Sequence, residues 1–357
     1  MASKPWGHLE ALKIPLGNSE EIFADRPVRL QAPHWFFEGF SSNQLAELMD
    51  ACGLDAKQKS ELLNPSRWQI ASNGCRVLPA NALVRSFSAG SRQQLYAVLA
   101  HSSSNYAQCF PFRFALENLG AHFAESGLSV DTQLLLRSLC YTNGGTLCFA
   151  DLQCLPELLP REEFDEVIDF LYRFPAYRLR LRVYPDSDID ALVKYWGKGN
   201  REKKIRPLLE SLTKVPATNG ASISIGYLLP PFARLRLNTF PEAWTEPQVA
   251  REDCFWTSMN FFNEQPDMRF LDSSSVRQAL QTEYVPVQQP TYGDLVTVVS
   301  ERGDGLHMCV YIADDFVFTK NGMNQLQPWV LMKMSDMLLG FPSEKGPRLV
   351  LFRRKQA

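Results

Sequence analysis

Gly293-Asp-Leu-Val-Thr-Val-Val-Ser300, Leu306-His-Met-Cys-Val-Tyr-Ile312 and Phe316-Val-Phe-Thr-Lys-Asn321 follow one another closely. Arg302-Gly-Asp-Gly305 and Asp314-Asp315 separate them. Three β-branched or aromatic runs divided by turn residues predict an antiparallel meander. In the second strand the period of two places His307, Cys309 and Tyr311 on one face and Met308, Val310 and Ile312 on the other. Upstream, Asp253-Cys254 opens Phe255-Trp-Thr-Ser-Met-Asn-Phe-Phe262, a helix with Phe255, Met259 and Phe262 on one stripe. A helix followed by antiparallel strands makes 249–357 an α+β unit.

Cys254 falls in the first turn of that helix, where the dipole and unpaired N–H groups favour a thiolate. Glu252 and Asp253 oppose this by their charge, so a partner base is needed. His307 is the only histidine after His122. The pair reads as nucleophile and base. Hairpin geometry bears on the third residue. A two-residue turn at Asp314-Asp315 puts position 322 opposite His307, with Lys320 on the His307 face. A three-residue turn from Ala313 puts Asn321 opposite, with side chains about 5 Å apart. An Asn carbonyl accepts the imidazole N–H and a Lys cannot, so Asn321 is preferred as the orienting residue and Thr319 comes second.

Asp-Cys at a helix start, then Gly-Asp-Leu-Val, then His followed by Val-Tyr-Ile, resembles the NlpC-type branch of the papain-like cysteine hydrolases. The likeness covers about 250–335. It implies a papain-like fold and cleavage of an amide bond by Cys254 as nucleophile and His307 as base, as many members cleave bonds in bacterial cell-wall peptides. Asn321, chosen from the hairpin, completes a Cys-His-Asn site, and the Cys254 backbone N–H would help hold the oxyanion. The family usually has Ser-Gly after the cysteine, where this chain has Phe255-Trp256. It often carries a second histidine a dozen positions after the first, where this chain has Thr319. Two further readings stay open. One is an acyltransferase using the same dyad. The other is an inactive papain-like domain acting as a binding or scaffold protein.

The 357 residues include 45% hydrophobic and 21% charged side chains, which excludes a disordered chain or a coiled coil. Lys plus Arg number 37 against 39 Asp plus Glu, which argues against a dedicated nucleic-acid binder. No apolar run reaches membrane-spanning length. The eight cysteines have irregular spacings and imply neither a disulfide scaffold nor a zinc site, and no cofactor is called for. The N-terminus lacks the apolar core of a secretory signal. A complete chain with this start is expected in the cytoplasm, and one with its signal removed in the periplasm or outside the cell.

The remainder is expected to divide into a mainly helical region, 1–150, and a mixed middle region with a Pro-rich connection, 151–248. Residues 1–40 read as an irregular lead. Helices are expected behind Ser41-Ser42-Asn43, from Asp55 to Leu63, over 91–101, 129–140 and 161–172. A hairpin turns at Ser72-Asn73-Gly74. Tyr177-Arg-Leu-Arg-Leu-Arg-Val-Tyr184 alternates as a half-buried strand with a basic face, and the run of Lys and Arg from 194 to 206 reads as solvated surface.

Overall fold

The structure, a computed structural model, describes residues 4–17, 34–216, 219–243, 251–341 and 348–355. The architecture is α+β with antiparallel sheets. The chain forms two units. One comprises 1–26, 172–341 and 345–357, and the other 27–171 with 342–344.

The first unit departs from the expected division of the chain. His8–Leu16, expected to be irregular, is a strand paired along its length with Phe174–Val183, from His8↔Arg182 to Leu16↔Phe174. Pro15 is compatible with this because the strand lies at a sheet edge, where a missing N–H breaks no ladder. The Pro-rich connection supplies the third strand of that sheet, Ala221–Ser224, and a short helix, Pro231–Arg236. Leu228, Leu229, Phe232 and Ala233 from this stretch are buried. Segment 249–357 therefore has no core to itself. Leu179, Leu181, Trp196, Leu209 and Phe232 share one apolar cluster with Trp256, Phe261, Met308, Val310 and Phe318. Each large side chain fully buried there contributes about 1.5–3 kcal/mol.

The six-stranded sheet of this unit runs in the order Tyr284–Val287, Arg348–Arg354, Leu295–Val299, Gly305–Ala313, Phe316–Thr319, Val330–Lys333. The meander is present as expected, and its two faces serve two clusters. Met308, Val310, Ile312, Phe316 and Phe318 join the large core. Cys309, Tyr311, Val296, Val298, Val317 and Val330 pack on the other side with Met332 and Met337. Gly293 and Asp294 are structural within this sheet. Gly293 has φ +84°, and a Cβ there would meet the Phe262 ring at 2.3 Å. The buried Asp294 accepts the Thr291 N–H at 2.8 Å and holds Arg353 through both carboxylate oxygens.

The second unit carries the expected helices and hairpin. Ser41 caps Ser42–Ala51 and Asp55 caps Ala56–Leu62, each in a capping box with the Gln three residues on. Trp68–Ala71 and Gly74–Val77 form the hairpin, with Trp35–Glu38 on its other side. At its centre Asp151, wholly buried, accepts Arg92 Nε at 2.8 Å and Tyr96 OH at 2.5 Å. Arg92 also donates to the carbonyls of Phe87 and Val84.

Candidate functional site

Asp253 is the N-cap that starts the Cys254 helix: its carboxylate accepts the Trp256 N–H at 2.8 Å. The helix is Cys254–Met259, only six residues, so its dipole is small. Trp256 and Met259 lie in the cluster of Met308, Val310 and Ile312, which seats the helix on that face of the sheet. Trp329 Nε1 donates to Thr257 Oγ1 at 2.9 Å and ties the helix to the residue that precedes the edge strand Val330–Lys333.

His307 lies on the opposite face. It pairs with Val298, stacks on Phe341 at 4.9 Å between centroids, and shares its side of the strand with Cys309 and Tyr311. Its Nε2 is 2.9 Å from Thr319 Oγ1, and Thr319 Oγ1 donates to Asn321 Oδ1 at 3.3 Å. Thr319, the second choice from sequence, is thus the direct partner of the imidazole, and Asn321 is reached through it. The hairpin explains the order. The turn has two residues, Asp314-Asp315, with Asp314 at φ 55°. A bulge between Tyr311 and Ala313 then shifts the register to Val310↔Phe318. Carried on, that register would set His307 opposite Asn321, but the ladder between the two strands stops at Val310↔Phe318. The imidazole therefore meets its diagonal neighbour, Thr319.

The structure brings His307, Thr319 and Asn321 together, and among the described residues no hydrogen bond joins Cys254 to His307. Cys254 is 4% exposed and His307 1%. Burial, with the charge of Asp253 adding to it, pushes the thiol up to about 12, against the Met308 N–H and Lys320. Burial alone takes His307 down to about 3, so the imidazole is neutral.

The sequence argument for an orienting residue excludes Lys320, because it cannot accept a hydrogen bond. Parity along the strand was the signal that could have found it: Phe316 and Phe318 point into the core below the Cys254 helix, and Lys320 follows them. It is wholly buried, donates to the carbonyls of Gly322 at 2.6 Å and Asn324 at 3.2 Å, and lies 5.8 Å from the centroid of the Trp329 ring. Arg236 covers the Phe232, Trp256 and Trp329 rings beside it.

Among the described residues no group of His, Cys, Asp and Glu could hold a metal ion, and no helix is long and apolar enough to cross a membrane. Comparison with family models, curated proteins and solved structures found no match.

Proposed function

We propose that the unit carrying Cys254 is a thiol hydrolase of amide bonds, closed in the form described. One observation carries this reading. The Cys254 helix packs on Met308, the residue after His307, and the His307 imidazole is tied to Thr319 and, beyond it, Asn321. Burial holds the imidazole neutral, with a pKa of about 3, and so makes it a weak base in this form, and opening that hydrates the ring would raise it towards the working pH. Once the strand end opens enough for the ring to reach the thiol, His307 takes the Cys254 proton and the sulfur bonds to the substrate carbonyl carbon. The C–N bond then breaks and the amine leaves with the proton from His307. Water attacks the thioester, releasing the acid and restoring the thiol. The motif resemblance supports a peptide substrate of cell-wall type, and an amine in place of water would make the same site an acyltransferase.

A second reading, a papain-like domain that binds without catalysis, is favoured by the burial of Cys254 and the placement of His307 on the other face of the sheet. Iodoacetamide labelling resolved by residue separates the two, with Cys309, fully buried on the His307 face of the sheet, as internal control. A hydrolase requires Cys254 to be alkylated several-fold faster than Cys309 at pH 7.5, with the advantage lost in His307→Ala. Equal rates at the two thiols, unchanged by that substitution, would leave binding as the function.

A further inference from the structure

Arg236 is a cation fixed in position with its donors unused. Its guanidinium lies over three rings, 4.2 Å from the centroid of Phe232, 5.1 Å from that of Trp256 and 5.6 Å from that of Trp329. The rings are themselves held. Phe232 meets Trp256 edge-on at 5.2 Å between centroids. Trp329 accepts the Asn238 N–H at 2.7 Å and donates its own to Thr239 at 3.0 Å, which fastens it to the residues just after the arginine. Stacking on aromatic faces orients a guanidinium but occupies none of its N–H groups. Among the described residues one carboxylate, Glu252, comes within ion-pair distance of it, at 3.9 Å, and none accepts a hydrogen bond from it. A charge-assisted hydrogen bond is much shorter, about 2.7–2.9 Å. The Arg236 side chain is 23% exposed, so an arriving group can reach it. Glu252 and Trp256 stand two residues to either side of Cys254, which anchors Arg236 beside the helix of the candidate nucleophile. Lys320 lies 5.8 Å from the Trp329 centroid, so two cations share one ring. Among the described residues Glu252 is the one carboxylate within ion-pair distance of either.

We propose that Arg236 is a specificity residue that binds a carboxylate of the peptide substrate in place of Glu252, so that the substrates are peptides with an acidic side chain or a free C-terminal carboxylate. This inference rests on the hydrolase reading of Cys254 for its purpose, but carboxylate binding needs no turnover. A planar guanidinium offers two parallel N–H groups that a carboxylate matches and a neutral amide does not. The stacked rings leave the side chain little conformational freedom to lose when the ligand arrives. Removing the charge of Glu252 should therefore strengthen binding, and a neutral analogue of the ligand should fail to bind.

The experiment is phenylglyoxal modification of the full chain, read for each arginine by peptide mass spectrometry, in wild type and Glu252→Gln. Two probes are acidic: N-acetylglutamic acid α-amide carries a side-chain carboxylate and N-acetylalanine a terminal one. N-acetylglutamine amide is the neutral control. Each is used at about 50 mM, because a single partly exposed ion pair gives weak affinity. Arg178 and Arg180, exposed and without an ion-pair partner among the described residues, are the internal references. The expected result is that an acidic probe slows modification of Arg236 about twofold in wild type and about fivefold in Glu252→Gln, with the references and the neutral control unchanged. Which acidic probe protects tells a side-chain carboxylate from a terminal one. Equal protection by the neutral probe, or none by either acidic probe, overturns the proposal. So does equal protection of Arg178 and Arg180, or a Glu252→Gln chain protected no better than wild type. For peptides that are cleaved, Arg236→Gln should raise KM for the acidic substrate about tenfold with kcat little changed, and leave its amidated counterpart unaffected. Protection of Arg236 without any peptide turnover removes the hydrolase reading and leaves the carboxylate site standing. Turnover that needs Cys254 and His307, with no protection at Arg236, does the reverse.

Discussion

The 27–171 unit and the strand ends beside the Cys254 helix in the other unit bury ionisable side chains in opposite ways, although elsewhere in that second unit the buried Asp294 is paired with Arg353. In the 27–171 unit Arg92, Asp151 and Tyr96 form a closed set. The carboxylate meets a guanidinium and a phenol, and the remaining guanidinium donors reach the Phe87 and Val84 carbonyls. In the other unit, beside the Cys254 helix, Lys320 hydrogen-bonds carbonyls and His307 a hydroxyl. Buried polar atoms without a hydrogen-bond partner among the described residues also occur in this unit, at Trp256 Nε1, Ser258 Oγ and Thr297 Oγ1. Two of these lie on the Cys254 helix itself. A closed buried network holds a fold, whereas buried ionisable groups left without charge partners cost it stability.

The comparison breaks most visibly at Asp151. Asp151→Ala leaves the Arg92 guanidinium buried and unpaired and should cost about 3–5 kcal/mol, read by hydrogen exchange over the helices of 81–99. Tyr96→Phe removes one neutral donor and should cost about 1–2 kcal/mol. If Asp151→Ala costs less than Tyr96→Phe, the network is not the keystone described here.

The next effect is a pH dependence from His307. Its folded-state pKa of about 3 lies below the ordinary 6.5. Between those values the unfolded chain binds the extra proton, so this contribution to stability is complete above about pH 6.5 and is lost as pH falls towards 3. Within the window the slope approaches about 1.4 kcal/mol per pH unit. The difference between wild type and His307→Gln isolates it from the carboxylates. A difference that is flat with pH would mean that the imidazole is charged or exposed in the folded chain.

The smallest effect distinguishes the partners of His307. Thr319→Val removes the hydroxyl bonded to the buried ring and should cost about 1–3 kcal/mol, whereas Asn321→Ala acts one bond further out and should cost less than about 1 kcal/mol. Any catalytic loss should follow the same order. The reverse order would return Asn321 to the position of direct orienter, as the expected three-residue turn implied.

Much of this was legible in the sequence. Period-two alternation assigned the two faces of the His307 strand, capping residues marked helix starts at Ser41 and Asp55, and the meander strands fell where β-branched residues cluster. What escaped was set by long-range pairing. His8–Leu16 is stabilised by a partner more than 150 positions away, and Pro15 masked it. The same pairing, with the core that 221–236 shares with Trp256 and Met308, joined regions expected to be separate. At the site, the alternation that put His307 with Cys309 already implied that a helix packed on Met308 and Val310 would lie across the sheet from the imidazole. The register at Thr319 depended on a bulge at Ile312 that no residue there announces.

The account stands or falls on whether the Cys254 sulfur forms a covalent acyl intermediate. The direct measurement is intact-protein and peptide mass spectrometry after acid quench of the full chain incubated with soluble cell-wall peptides. The predicted result is a mass gain equal to the acyl half of a cleaved peptide, located on Cys254, absent in Cys254→Ala and much reduced in His307→Ala. Peptide cleavage that persists in Cys254→Ala, or saturating substrate that leaves Cys254 unmodified with no cleavage at all, would contradict it.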